Sequence, residues 1–247
     1  MFKAIVLDLF DTLVDWDPDG LPLMHWKGRD IHSTIPWILP KVAEKLGAKY
    51  DLDTFMTAYS SVYDEINKER EREGIEITCL ERFLRTLERL GLEDCEHLAQ
   101  ELTSIHMKGV RSVTSAPASR KDAVRRLAEK YRLGLLSNFD DSKTGWEIVA
   151  DTGVKDKFDA IIISADLRLR KPNPKIFARM LAMLNLAAPE VLFVGDTPQH
   201  DVGGAKAVGM SAAWISRRAL PFPDGVAQPD YIIRDLAELP EVLENSR

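Results

Sequence analysis

The chain has 247 residues, long enough to bury a substantial hydrophobic core. Apolar residues make up 45% and charged residues 29%, an ordinary globular mixture that excludes a disordered or fibrous protein. Thirty-three basic residues against 39 acidic ones leave a net charge of −6, which offers no general attraction to nucleic acid or an anionic membrane, so neither is expected as a partner.

From Lys3 to Leu9 the chain is an almost unbroken apolar run. This predicts a strand buried on both faces, as in a parallel sheet covered by helices. The run is cut by Asp8 and followed by further acids, which does not suit a signal peptide, and no apolar stretch approaches the roughly 18 residues of a membrane span. Two cysteines, Cys79 and Cys95, lack metal-binding spacing and fit a reducing compartment. A soluble, cytoplasmic protein is expected.

Between about Ile31 and Gly109 no strand is expected. Apolar residues recur there at helical spacing: Ile35, Ile38, Leu39 and Val42; Phe55, Tyr59, Val62 and Ile66; Leu80, Phe83, Leu84, Leu87 and Leu90. The pattern predicts about four helices. After a return linker at Thr114–Arg120 the rhythm becomes alternating helix and strand, with strands at Leu133–Ser137, Ala160–Ser164, Val191–Gly195 and Tyr231–Ile233. Repeated βα units call for an α/β, doubly wound parallel sheet. The first strand must join it, so the helical block is an insertion. The expected organisation is a core domain of residues 1–14 and 115–247 with an inserted α-helical cap domain of 15–114.

In an open α/β sheet, ligands bind beyond the carboxyl ends of the strands. Those ends read Asp8-Leu9-Phe10-Asp11-Thr12, Ser137-Asn138-Phe139-Asp140 and Gly195-Asp196, with Asp201 following. Between them lies Arg170-Lys171-Pro172-Asn173-Pro174, where Asn173 and Pro174 suit the N-cap and first turn of a helix. Acids, a hydroxyl and a lysine thus converge on one edge. Taken singly, Asp8 could merely cap a turn, Asp201 could serve a helix start, and Lys171 could be a solvated charge.

Taken together, the carboxylate after the first strand, KPNPKIF at 171–177 and VGDTPQHDVGGAKAVGM at 194–210 resemble the haloacid dehalogenase (HAD) superfamily of hydrolases, over nearly the whole chain. The resemblance implies a HAD-like, Rossmannoid core with a helical cap. It also implies Asp8 as a nucleophile that forms an aspartyl intermediate. Lys171 would offset the charge of nucleophile and substrate, and Ser137, assisted by the amide of Asn138, would contact the transferred group. A Mg²⁺ site would be built from Asp8, the backbone carbonyl of Phe10, Asp196 and Asp201, the last either directly or through water.

Phe10 departs from the pattern. Phosphatases of this superfamily usually place an aspartate there as general acid and base, and its absence resembles the dehalogenases. Asp11 is one residue later, and strand alternation predicts that its side chain faces away. The acidic fourth motif argues for the metal, because three carboxylates against Lys171 leave a net −2 that a divalent cation would neutralise. The expected activity is a Mg²⁺-dependent phosphatase acting on a small phosphate ester or other small anionic substrate. The alternatives are a 2-haloacid dehalogenase and a catalytically weak phosphate-binding protein. Substrate selection is expected from the cap, where Trp16, Trp26 and Trp37 stand among His25, Lys27, Arg29 and His32.

Overall fold

The computed structural model describes residues 2–46, 51–217 and 221–245. The chain divides into two compact units, one of residues up to Asp15 and from Ser115 onward, the other Trp16–Thr114.

The first unit is built on six parallel strands: β1 (Ala4–Leu7), β2 (Arg132–Ser137), β3 (Ala160–Ile163), β4 (Val191–Gly195), β5 (Ser211–Ile215) and β6 (Tyr231–Ile233). Their spatial order is β6-β5-β4-β1-β2-β3, so the sheet grows in both directions from β1. Every residue of β1 is buried, and alternation divides the strand between two cores. Ile5 and Leu7 join Leu133, Leu135, Leu192 and Val194 under the helices Ala118–Ala128, Ser142–Asp151 and Leu239–Asn245. Ala4 and Val6 join Leu136, Phe193 and Trp214 under Pro174–Leu184 and Gly204–Ala207. Each large apolar side chain buried this way stabilises the fold by about 1.5–3 kcal/mol, so β1 is the common wall of two cores. The helix starting at Ala118 takes up part of the stretch expected as linker; the four strands expected after it lie within a residue of their expected positions, while β1 ends two residues before the expected Leu9.

In the second unit four helices, Ile35–Leu46, Leu52–Glu73, Cys79–Arg89 and Glu96–Ser112, bury Ile38, Phe55, Phe83, Leu87 and Leu102. Local signals set their ends. The Asp51 carboxylate accepts from the Thr54 amide at 2.9 Å, and Gly74 closes the same helix in left-handed backbone at φ 63°. Ion pairs Arg85–Glu69 and Arg89–Glu65, each 2.7 Å, tie the second helix to the third.

A hairpin of Leu23–Trp26 and Arg29–His32 precedes the helices, its second strand just overlapping the start of the stretch from about Ile31 to Gly109 where no strand is expected. Its two-residue turn, Lys27-Gly28, has positive φ at both positions (47° and 74°), which suits the twist of a tight hairpin. The hairpin also employs some of the side chains expected to select substrate. His25 Nδ1 lies 2.9 Å from Asp30, and the Lys27 ammonium lies over the Trp26 ring at 4.5 Å. No helix among the described residues is long and apolar enough to cross a membrane.

Candidate active site

The site lies where the strand order reverses, at the carboxyl ends of the neighbours β1 and β4. Register carries the two together: Leu7 pairs with Val194, and the Asp8 amide donates to the Val194 carbonyl at 2.9 Å. Asp8 therefore leaves β1 beside the point where Asp196 leaves β4.

Lys171 reaches this edge from the loop ahead of helix Pro174–Leu184. Its Nζ lies 2.6 Å from Asp8 Oδ1 and 2.7 Å from Asp201 Oδ1, and the side chain is only 2% exposed. It is the buried cation between two buried carboxylates. The backbone of Lys171 is fixed by Asn138, whose side-chain carbonyl accepts from the Lys171 amide at 2.8 Å and whose amide group donates to the Lys171 carbonyl at 2.9 Å. The Lys171–Pro172 peptide is cis. Asn173 accepts from the Lys175 amide at 3.0 Å and Pro174 opens the helix, as the sequence predicts.

After β4 the chain folds tightly back. The Thr197 amide donates to Asp201 Oδ2 at 2.9 Å, and the Asp201 amide donates to the Thr197 carbonyl at 2.9 Å. Gly195 is obligatory here, since a Cβ on it would lie 2.3 Å from the Asp201 carboxylate. Trp214 donates its indole N–H to the Asp196 carbonyl at 2.9 Å. Asp201 belongs to a wide helical turn, Pro198–Gly203, rather than to the start of an ordinary helix.

One oxygen from each of Asp8, Asp196 and Asp201 lies within 4.8 Å of the others. Burial pushes the Asp8 carboxyl up to about 7; Lys171 opposes the rise, and Asp201 and Asp196 add to it. Burial, with Asp201 and Asp11 nearby, likewise raises Asp196 to about 6. For Lys171 burial favours the neutral amine, but Asp201 and Asp8 outweigh it and hold the pKa above the usual lysine value. Three hard oxygen donors with a net charge of −2 after Lys171 is counted suit a hard divalent cation.

A cleft of about 240 Å³ opens over this cluster. Asp8, Phe10, Asn138, Lys171, Asp196 and Asp201 line it, together with Asp11, Arg170, Thr197 and His200. Ser137 is not part of the lining. It is 1% exposed at the end of β2, and its hydroxyl has no hydrogen-bond partner among the described residues. The Asn138 side chain, apart from the role expected of its amide, holds Lys171 in place. The Phe10 ring stacks on Phe139, with centroids 5.0 Å apart.

Asp11 corrects the strand-alternation expectation. The chain leaves extended geometry after Leu9, and Asp11 takes left-handed backbone at φ 55°, which brings it to the cleft. Asp11 has a signal in the sequence, since aspartate tolerates this conformation better than most residues. Arg170 adjoins Lys171 in sequence, but nothing in its charged surroundings distinguishes it as a cleft residue.

Comparison with known proteins agrees with this geometry. A family model described as haloacid dehalogenase-like hydrolase matches residues 2–209. The glyceraldehyde 3-phosphate phosphatase of Pyrococcus furiosus is 32% identical over 246 residues, covering 98% of this chain and 93% of that protein. The crystal structure of a HAD phosphatase from Thermococcus onnurineus matches with a TM-score of 0.61 at 26% identity over 98% of both chains. A 2-haloacid dehalogenase from Pseudomonas syringae pv. Tomato matches over the whole of both chains with a TM-score of 0.72 at 23% identity, a likeness of fold.

Proposed function

The chain belongs to the haloacid dehalogenase-like hydrolases, and from that premise we propose that it is a Mg²⁺-dependent phosphatase of a small phosphorylated metabolite. The observation that carries this reading is the buried Asp8–Lys171–Asp201 chain with Asp196 beside it. Its excess negative charge makes a poor receptor for an anion unless a divalent cation joins it. The phosphatase relative, aligned over nearly the whole chain, supports the same reading. A three-carbon phosphorylated aldehyde of the kind that relative is named for belongs among the substrates to test.

Asp8 attacks phosphorus with one carboxylate oxygen. The new O–P bond forms as the bond to the leaving oxygen breaks, giving an aspartyl phosphate and an alcohol whose proton comes from water. A second water then attacks phosphorus, releasing inorganic phosphate and the free carboxylate. Lys171 favours the ionised form of Asp8 and aims it, while Asn138 keeps Lys171 in place. Ser137 lies outside the cleft lining and is buried, so no contact with the transferred group is assigned to it. Asp8, the Phe10 carbonyl and Asp196, with Asp201 directly or through water, would hold Mg²⁺. When bound, the ion offsets the charge of the phosphoryl group and the carboxylates around it. The inserted helical unit, by its place in the sequence after β1, serves as the cap.

Phe10 supplies no proton. General acid catalysis is worth about 10²–10⁴ in rate, so aryl and acyl phosphates are expected to outrun alkyl phosphates by a comparable factor. Phosphate release from a series of esters of graded leaving-group acidity, with Mg²⁺ and with chelator, tests the reading. Equal turnover along the series would show that another residue delivers the proton.

Phe10 also favours a second reading, a 2-haloacid dehalogenase, since halide leaves without protonation. Halide release that survives chelator, without phosphate release from any ester, would establish it. Phosphate binding without turnover, unchanged in Asp8→Asn, would point to a protein that only binds.

A further inference from the structure

The loop that carries Phe10 is fastened from an unexpected direction. Asp11 gives both its polar ends to Arg217: Nη1 lies 3.3 Å from Oδ1, and Nη2 donates to the Asp11 carbonyl. The same Nη1 lies 2.6 Å from Asp15 Oδ1. The same Asp15 Oδ1 also meets Arg120 at 2.8 Å, and Arg120, buried within the unit, binds Asp235 at 2.8 Å as well. Two guanidinium groups sharing Asp15 thus clasp residues 11–15 against the ends of β5 and β6.

The carbonyls of the turn show what the clasp does. That of Leu9 accepts from the amides of Leu13 and Val14 at 2.8 and 2.9 Å, and that of Asp11 accepts from Arg217. Between these two engaged carbonyls lies the one of Phe10. A peptide plane is rigid, so fixing the groups on either side of Phe10 restricts its carbonyl. The Asp11 conformation, costly for a residue with a Cβ, is held in place by the same bonds.

We infer that Arg217 is a positioning residue for divalent-cation binding, which sets the Phe10 carbonyl by holding the peptide that follows it. The inference rests on the metal site proposed above. Groups that orient metal ligands typically change affinity by about 10–100-fold when removed. Charge alone predicts the opposite sign, because deleting the cation on Asp11, a carboxylate close enough to Asp196 to raise it, would make the site more attractive to Mg²⁺.

Isothermal titration of metal-free protein with Mg²⁺ separates the two effects, and Arg217→Ala and Arg217→Lys provide the comparison. Lysine keeps the charge but cannot span two carboxylates and a carbonyl. Both variants are expected to bind Mg²⁺ at least about 10-fold more weakly than the parent. Thermal melts of the metal-free proteins check that each variant folds, and Arg217→Lys carries the test should the alanine variant unfold. Binding within twofold of the parent, or tighter binding by Arg217→Ala with parental affinity in Arg217→Lys, overturns the inference while leaving the metal site standing. A parent protein that takes up no Mg²⁺ removes the metal site itself, and the role of Arg217 with it.

Discussion

Asp8→Asn removes the proposed nucleophile, and it also removes one of three crowded buried carboxylates. The two consequences have opposite signs. Turnover should fall by at least about 10³-fold, since an amide does not form the acyl phosphate. Metal-free stability should rise. The Asp8 carboxyl titrates near 7 in the folded protein against 3.8 when exposed, so the folded state holds the proton more tightly than the unfolded chain. Its ionisation is therefore a penalty on folding, absent below about pH 4 and complete above about pH 7, with an upper size of about 4 kcal/mol. That penalty is already net of the attraction to Lys171, which opposes the rise. The expectation for asparagine is a gain of up to about 4 kcal/mol at pH 8 that disappears at pH 4. Urea denaturation with chelator at both pH values measures it, and saturating Mg²⁺ should reverse the order of parent and variant by stabilising the parent more. A variant less stable than the parent at pH 8 without metal, or a difference that ignores pH, would refute the reasoning that crowding at this site is unfavourable.

Gly195→Ala would press a methyl group to 2.3 Å from the Asp201 carboxylate, so turnover should drop about 100-fold or more with the helical unit intact, as steady-state kinetics and circular dichroism would show. Phe10→Asp restores the carboxyl usual in phosphatases of this family; the alkyl-to-aryl rate ratio should rise at least about tenfold, and an unchanged ratio would count against the missing-acid account. In Asp15 and Asp235 burial favours the protonated form, but hydrogen bonds from Arg120, joined at Asp15 by Arg217, win and hold both carboxyls below their ordinary value. Their support is complete above the ordinary carboxylate range and is lost as pH falls through the lowered folded value, so acid denaturation should steepen below about pH 4. Arg120→Met should flatten that limb and lower stability by about 3 kcal/mol at pH 7, in equilibrium unfolding.

What could be read from the sequence follows from which interactions are local. The strands announce themselves because a strand covered on both faces must be apolar at every position, as Ala4–Leu7 and Val191–Gly195 are. Asp8, Asp196 and Lys171 were legible because the ends of parallel strands share one edge. The hairpin at 23–32 was missed because its turn uses Lys27 in left-handed backbone, where a lysine gives no warning. The side of the chain that Asp11 occupies depends on one dihedral angle, which strand periodicity cannot foresee. Arg217 was beyond reach altogether: its partners Asp11 and Asp15 lie some two hundred residues away in the chain. The hold of the Asn138 side chain on the Lys171 backbone is likewise a tertiary fact, legible only once Lys171 is in place.

The position of β1 bears on how the protein is made. Ala4 pairs with Arg132 on one side and Val191 on the other, so β1 has no sheet partner until the whole insertion behind it has been synthesised. Pairings this distant in sequence are slow to form. During translation the apolar side chains of β1 thus wait uncovered by their sheet while the insertion behind them can already fold.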